Sequence, residues 1–137
     1  MTSPSPEDLS VGDSIPPLRV DELSRTQIVR YLGASGDFNP LHHDDEFARR
    51  GGQEGVIASG MLVAGLASSA LTDWVPVRSV TRFRTRFVGT VMPGDALIVR
   101  GEVTSVTRNR ASTSAEIDLT VEDGDGTVLS GDATVRF

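Results

Sequence analysis

The sequence predicts an α+β domain in which a curved antiparallel sheet wraps around one long buried central helix. Three observations carry this prediction. After Pro76 the apolar pattern takes a period of two and keeps it to Phe137. Just before that, Ser59 to Thr72 is apolar or small on every side, as in a helix with no face toward water. Further upstream, one short strand-like stretch precedes a capped amphipathic helix.

The elements follow in order. Met1 to Pro6 is small and polar, with neither a basic start nor an apolar run. Residues 1–8 therefore read as a flexible tail and not a signal peptide, and residues 9–137 as a single domain. Leu9 to Val20 holds a Gly12-Asp13 turn and the pair Pro16-Pro17, which suits an edge strand because proline has no N–H to donate. Ser24, with Gln27 three residues on, forms a capping-box pattern. Ile28, Tyr31 and Leu32 then have the spacing of a helix that buries one face and ends between Gly33 and Gly36.

Asn39 precedes Pro40 and is pushed toward extended backbone, so Asp37 to His42 is a loop. Asp44 or Asp45 caps a short helix through Phe47 and Ala48, which Gly51-Gly52 stops. The apolar helix begins near Ser59. Its Gly60, Ala64, Gly65, Ala67 and Ala70 carry little bulk, so a sheet or a ligand can approach its backbone closely. Trp74 anchors the corner that follows. Four strands come next, Val77 to Met92, Ala96 to Thr107, Ala111 to Glu122 and Thr127 to Phe137. Pro93-Gly94-Asp95, Arg108-Asn109-Arg110 and the Asp123 to Gly126 turn separate them. Together these elements make a hotdog-like arrangement. A single small sheet of this kind needs cover at its edges, which a dimer that continues the sheet would supply.

Composition narrows the chemistry. The formal charge of −6 and the pI near 4.8 argue against a nucleic-acid surface. The longest apolar stretch, Met61 to Leu71, is broken by Gly65, Ser68 and Ser69 and falls short of the roughly 20 residues a bilayer crossing needs. No membrane association is expected, and the chain reads as cytoplasmic. There is no cysteine, and all 13 basic residues are arginine. A thiol nucleophile, a disulfide framework, thiolate metal ligation, a Schiff base and a phosphate-loop lysine are all excluded. Carboxylates, hydroxyls, His42 and His43 remain.

The run Gly36-Asp37-Phe38-Asn39-Pro40-Leu41-His42 is the densest grouping of such residues. It can be turn chemistry alone, with Asp37 capping a backbone N–H. An aspartate and a histidine five residues apart can also share one water, because imidazole exchanges a proton near neutral pH. His42-His43-Asp44-Asp45 does not suggest a metal, since adjacent side chains point apart. Neither a metal nor a redox cofactor is expected. Ser59 lacks the glycine two residues earlier that a nucleophile elbow needs, that position being Ile57, and reads as a helix N-cap.

The stretch from Tyr31 to Asp44 resembles the signature of the MaoC-like, (R)-specific enoyl-thioester hydratases and dehydratases. Val11-Gly12-Asp13, Gly60-Met61-Leu62 and Pro93-Gly94-Asp95 are similar as well, so the resemblance extends over nearly the whole chain. It implies a hotdog fold, a dimer, and a site where Asp37 and His42 bind the reacting water. It also implies that the Gly60 backbone N–H is an oxyanion donor, with Ser68 near the site on the same helix. Asn39, which with Pro40 fixes the loop's course, joins Gly60 and Ser68 among the oxyanion and substrate-binding candidates. Ser59 stands where many relatives carry histidine.

The reaction so implied is the reversible hydration of 2-enoyl thioesters and dehydration of (3R)-hydroxyacyl thioesters on coenzyme A or acyl carrier protein. The enzyme would be a homodimer or would pair with a non-identical hotdog subunit. The residues suit that chemistry: an Asp-His pair handles the water, and a helix start receives the enolate charge. Arg82, Arg84 and Arg86 share one face of a strand while Phe83 and Phe87 face the core. The arginine stripe is either a solvated face or a contact for the carrier's phosphate. Ser68 is either near the site or bonded back to the helix one turn earlier. Small residues at Ala64 and Gly65 leave a channel for an acyl tail, so that Gly65→Leu would shorten the accepted chain. Two rival readings stand beside this one, a hotdog thioesterase and a non-catalytic acyl-binding partner subunit.

Overall fold

Ser24 opens the first helix in the way its spacing requires. In the computed structural model, which describes residues 4, 5 and 7–137, its hydroxyl accepts the Gln27 N–H at 3.2 Å. The Gln27 side chain in return accepts the Ser24 N–H at 2.8 Å. Helix α1 runs over Arg25–Ser35, buries Ile28 and Leu32, and ends at Gly36, whose φ of 71° is the left-handed cap that glycine adopts without strain. The part of the expected tail at residues 1–3 and 6 lies outside the described residues. Leu9 already belongs to the core.

Five strands form one sheet: β1 Leu18–Val20, β2 Val80–Phe87, β3 Leu97–Arg108, β4 Thr113–Glu122 and β5 Thr127–Arg136. Their order is β1-β3-β4-β5-β2, and every pairing is antiparallel. β1 is an edge strand of three residues, short because Pro16-Pro17 precede it. A tight turn at Val77–Ser79 takes the first residues of the stretch that the alternation assigns to β2. The inward row of β3, β4 and β5, with Val99, Val103, Ile117, Leu119, Leu129 and Val135, is buried.

Helix α3, Gly60–Trp74, lies against that row through Val63, Ala64, Ala67, Ala70 and Leu71. Small side chains let it sit close to the sheet, and Trp74 packs on the core at its end. Two expectations need correcting. α3 is not buried on every side: Met61 is 60% exposed, and Gly65 and Ser69 follow it outward at four-residue spacing. One sheet covers only one side of a helix. Phe83 and Phe87 do point to the helix side, but β2 is the outermost strand, so they stay 36% and 49% exposed. Among the described residues, no helix is long and apolar enough to cross a membrane.

Candidate active site

The loop after α1 is held by its own polar groups. Pro40 forces a turn, and the Asn39 side chain accepts the Leu41 N–H at 3.0 Å, closing a single tight turn over Pro40–His42. The Asn39 N–H donates to Asp37 Oδ1 at 3.3 Å. One carboxylate oxygen is thereby held by backbone, and the other, Oδ2, faces His42 Nε2 at 3.6 Å.

His42 Nδ1 lies 2.8 Å from the Ile57 carbonyl. A carbonyl can only accept, so Nδ1 carries a proton, and whenever the ring is neutral Nε2 is the nitrogen that presents a lone pair to Asp37. In that form two acceptors face one another at a distance longer than a direct hydrogen bond. A water lying beside the pair, about 2.8 Å from each atom, can donate one hydrogen to each. His42 is 11% exposed while Asp37 is 34% exposed, so the ring is dry and the carboxylate still reaches solvent.

The next elements hold this frame. Asp44 caps helix α2, Asp45–Arg50, by accepting the Phe47 N–H at 3.0 Å. Asp45 does something the sequence did not suggest: it accepts the Val56 N–H at 3.0 Å and pairs with Arg25 at 3.1 Å. Beside it, the Ile57 N–H donates to the Leu41 carbonyl at 3.3 Å. The segment that supplies the His42 acceptor and leads into α3 is thus pinned to α1 and α2 through one carboxylate.

The Val56 N–H, and after it the Arg25 guanidinium, hold the Asp45 carboxyl below its ordinary value of 3.8. A lowered folded value means that the clamp's contribution is present above the unfolded value and is lost only as pH falls through the folded one. It is therefore constant from about pH 8 to about pH 5. We predict that Asp45→Ala lowers kcat about 10- to 100-fold by letting His42 and the start of α3 shift. Asp45→Asn, which keeps an acceptor for Val56, loses less; steady-state kinetics of the two variants check this.

A cavity of about 270 Å³ joins His42 to the start of α3, walled by Ile57, Val63, Phe87 and Val128 among others. Larger hollows of about 610 and 460 Å³ lie on the opposite face of the sheet among charged side chains. The smaller one is the candidate site because it alone of these three contains the histidine and the helix start. Ser59 occupies the N-cap position of α3, yet its side chain makes no capping bond, contrary to expectation. The Leu62 N–H bonds the Ser59 carbonyl at 3.0 Å, while the Gly60 and Met61 N–H groups have no side-chain cap. A Cβ on Gly60 would stand 3.0–3.2 Å from three atoms of the Phe87 ring, so glycine lets that ring lie a few tenths of an ångström closer to the helix start than any other residue would.

The other candidates are placed as follows. Ser68 does not line the cavity; the hydroxyl bond one turn back is made by Thr72 onto the Ser68 carbonyl at 3.0 Å. Ala64 and Gly65 do not line it either, and a Cβ on Gly65 would meet nothing within 4 Å, so the expected acyl channel is not there. Arg82, Arg84 and Arg86 project from the far face of β2. Arg82 and Arg84 pair with Asp132 at 3.0 and 2.8 Å, while Arg86 has no carboxylate partner among the described residues. His43 turns to the Phe38 carbonyl at 3.2 Å, away from the His42 partner. Among the described residues, no three His, Cys, Asp or Glu gather closely enough to hold a metal. Asp45 and Phe87 were missed, because each acts through a partner remote in sequence.

Residues 10–124 match the family model described as MaoC like domain. The 3-hydroxybutyryl-CoA dehydratase of Methylorubrum extorquens is 32% identical over 132 residues, spanning 95% of this chain and 82% of that protein. Other matching relatives are much longer, and the chain spans 5%, 28% and 7% of three of them. The structure of the (R)-hydratase from A. caviae involved in PHA biosynthesis superposes with a TM-score of 0.82 at 27% identity, covering 94% of this chain and 97% of that one. The ChsH1-ChsH2 complex from Mycobacterium tuberculosis shares the fold, with a TM-score of 0.82 at 22% identity over 92% of this chain and 96% of that one.

Proposed function

The chain belongs to the MaoC-like domain family, and from that membership we propose that it is a hydro-lyase. It adds water to 2-enoyl thioesters and removes water from (3R)-3-hydroxyacyl thioesters carried on coenzyme A or acyl carrier protein. The observation that carries this reading is the Asp37–His42 pair. A ring nitrogen whose tautomer is set by the Ile57 carbonyl stands 3.6 Å from a carboxylate oxygen, close enough for one water beside them to reach both.

In hydration, Asp37 and Nε2 of His42 each accept one hydrogen of the water. As the water oxygen bonds to the β-carbon, His42 takes a proton and becomes imidazolium, which Asp37 stabilises. The alkene electrons pass through the α-carbon to the thioester oxygen, giving an enolate. The first N–H groups of α3 at Gly60 receive that negative charge, in a cavity where such dipoles act strongly. The proton on His42 then goes to the α-carbon, so H and OH have been added across the double bond and the ring is neutral again. Dehydration is the same sequence reversed.

A thioesterase would aim its carboxylate at the thioester carbonyl, whereas Asp37 is held facing His42. A non-catalytic subunit has no need of a histidine tautomer fixed by hydrogen bonding. We place a partner subunit, identical or not, on the open edge of β2, where Phe83, Phe87 and Val88 are exposed at a strand with no further neighbour.

The test is direct. Purified protein is given 2-butenoyl-CoA while both the conjugated double bond and free thiol are followed. Loss of the double bond without thiol release supports the hydro-lyase. Release of thiol supports a thioesterase, and inertness supports the non-catalytic reading.

A further inference from the structure

The cavity beside His42 has one wall that differs in kind from the rest. Val63, Val91 and Val128 are 4%, 3% and 4% exposed and belong to the core, so they cannot yield without disturbing packed neighbours. Phe87 is 49% exposed in the single chain and ends β2, the edge strand on which the partner subunit is placed, so its outer cover belongs to that interface and not to the packed core. Its ring lies against Gly60, where a thioester carbonyl would meet the helix N–H groups. A substrate with its carbonyl at Gly60 and its reacting carbons at His42 would lead its further methylenes along the remaining walls, Val63, Val91, Val128 and Phe87. At about 270 Å³ the space falls just below the roughly 300–1,000 Å³ typical of pockets for drug-sized ligands.

We infer that Phe87 is the specificity-determining residue for acyl length, and that the substrates are short-chain acyl thioesters. The ring forms the wall on the side toward the sheet edge, so a tail that outgrows the cavity in that direction must displace Phe87. Glycine at position 60 is part of the device, because a Cβ there would push the ring back by a few tenths of an ångström. This inference rests on the hydro-lyase reading proposed above.

The experiment measures kcat/KM for 2-enoyl-CoA substrates of four, six, eight and ten carbons in the wild type, Phe87→Ala and Phe87→Leu. In the wild type, kcat/KM falls at least about tenfold between six and ten carbons. In Phe87→Ala, the ratio of ten-carbon to four-carbon kcat/KM rises about tenfold or more, each newly accommodated methylene being worth up to about fourfold. Phe87→Leu lies between the two, and carries the test should the alanine variant not fold. A ratio is read because it cancels any uniform loss of activity. Profiles that run parallel in all three proteins would overturn the inference while leaving the hydro-lyase reading intact. So would a wild type that handles ten carbons as well as four. A wild type that hydrates none of the series would overturn both.

Discussion

Asp37→Asn and His42→Gln each lower kcat for hydration of a 2-enoyl thioester by about 100- to 10,000-fold, the range that well-placed acid–base groups supply. Asparagine at position 37 keeps the size of the side chain but offers Nδ2 hydrogens where Oδ1 accepts the Asn39 N–H or where Oδ2 faces His42. In either orientation it loses an acceptor that the site uses. Glutamine at 42 can still reach the Ile57 carbonyl but has no group that can take up a proton and return it. Because both side chains act on one water, their effects do not add. The double variant is expected to be no slower than the worse single one within about threefold, as groups that work as a unit behave. KM changes little in all three, since the thioester is held elsewhere.

The second large effect concerns the start of α3. Gly60→Pro removes the N–H proposed to receive the enolate charge, and proline is well suited to the first position of a helix. Ser59, with φ −60° and ψ 132°, already has the extended backbone that a residue before proline requires. The new ring atoms also press on Phe87, so Gly60→Ala serves as the reference that has the same Cβ but keeps the N–H. Relative to alanine, the proline variant should lose about another 100- to 1,000-fold in kcat, the usual cost of one oxyanion donor. Equal rates for the two variants would show that Gly60 matters only for space.

Local rules of sequence were legible and remote partners were not. The Ser24–Gln27 box, the left-handed stop at Gly36 and the cap at Asp44 all depend on neighbours within three or four residues, and all form as the sequence predicts. The alternation in β2 likewise told which face Phe83 and Phe87 take. It did not tell that β2 would lie outermost, since strand order is settled by pairing with β5, about 45 residues on. That one fact turns two core residues into half-exposed ones, and one of them into a wall of the site.

The site shows the same division. Asp37 and His42 stand out in the sequence as chemistry-bearing residues on a proline-bent loop. The tautomer that makes His42 an acceptor comes from Ile57, 15 residues away, and the segment bearing Ile57 is tied down by Asp45 and Arg25. No local pattern announces those contacts. Gly65 misled for a related reason: a small residue on an apolar helix marks a close approach, but only the packing decides whether a ligand or solvent makes it. Here solvent does, and the close approach is made at Gly60.

The central claim is that Asp37 and His42 deliver a water to the β-carbon of an enoyl thioester. The most direct measurement follows the oxygen of that water. With 2-butenoyl-CoA in water labelled with heavy oxygen, the wild type should place the label in the hydroxyl of 3-hydroxybutyryl-CoA, with the thioester whole and the label absent from the same reaction with Asp37→Asn on the same timescale. Label appearing in a free carboxylate, with thiol released, would contradict the account.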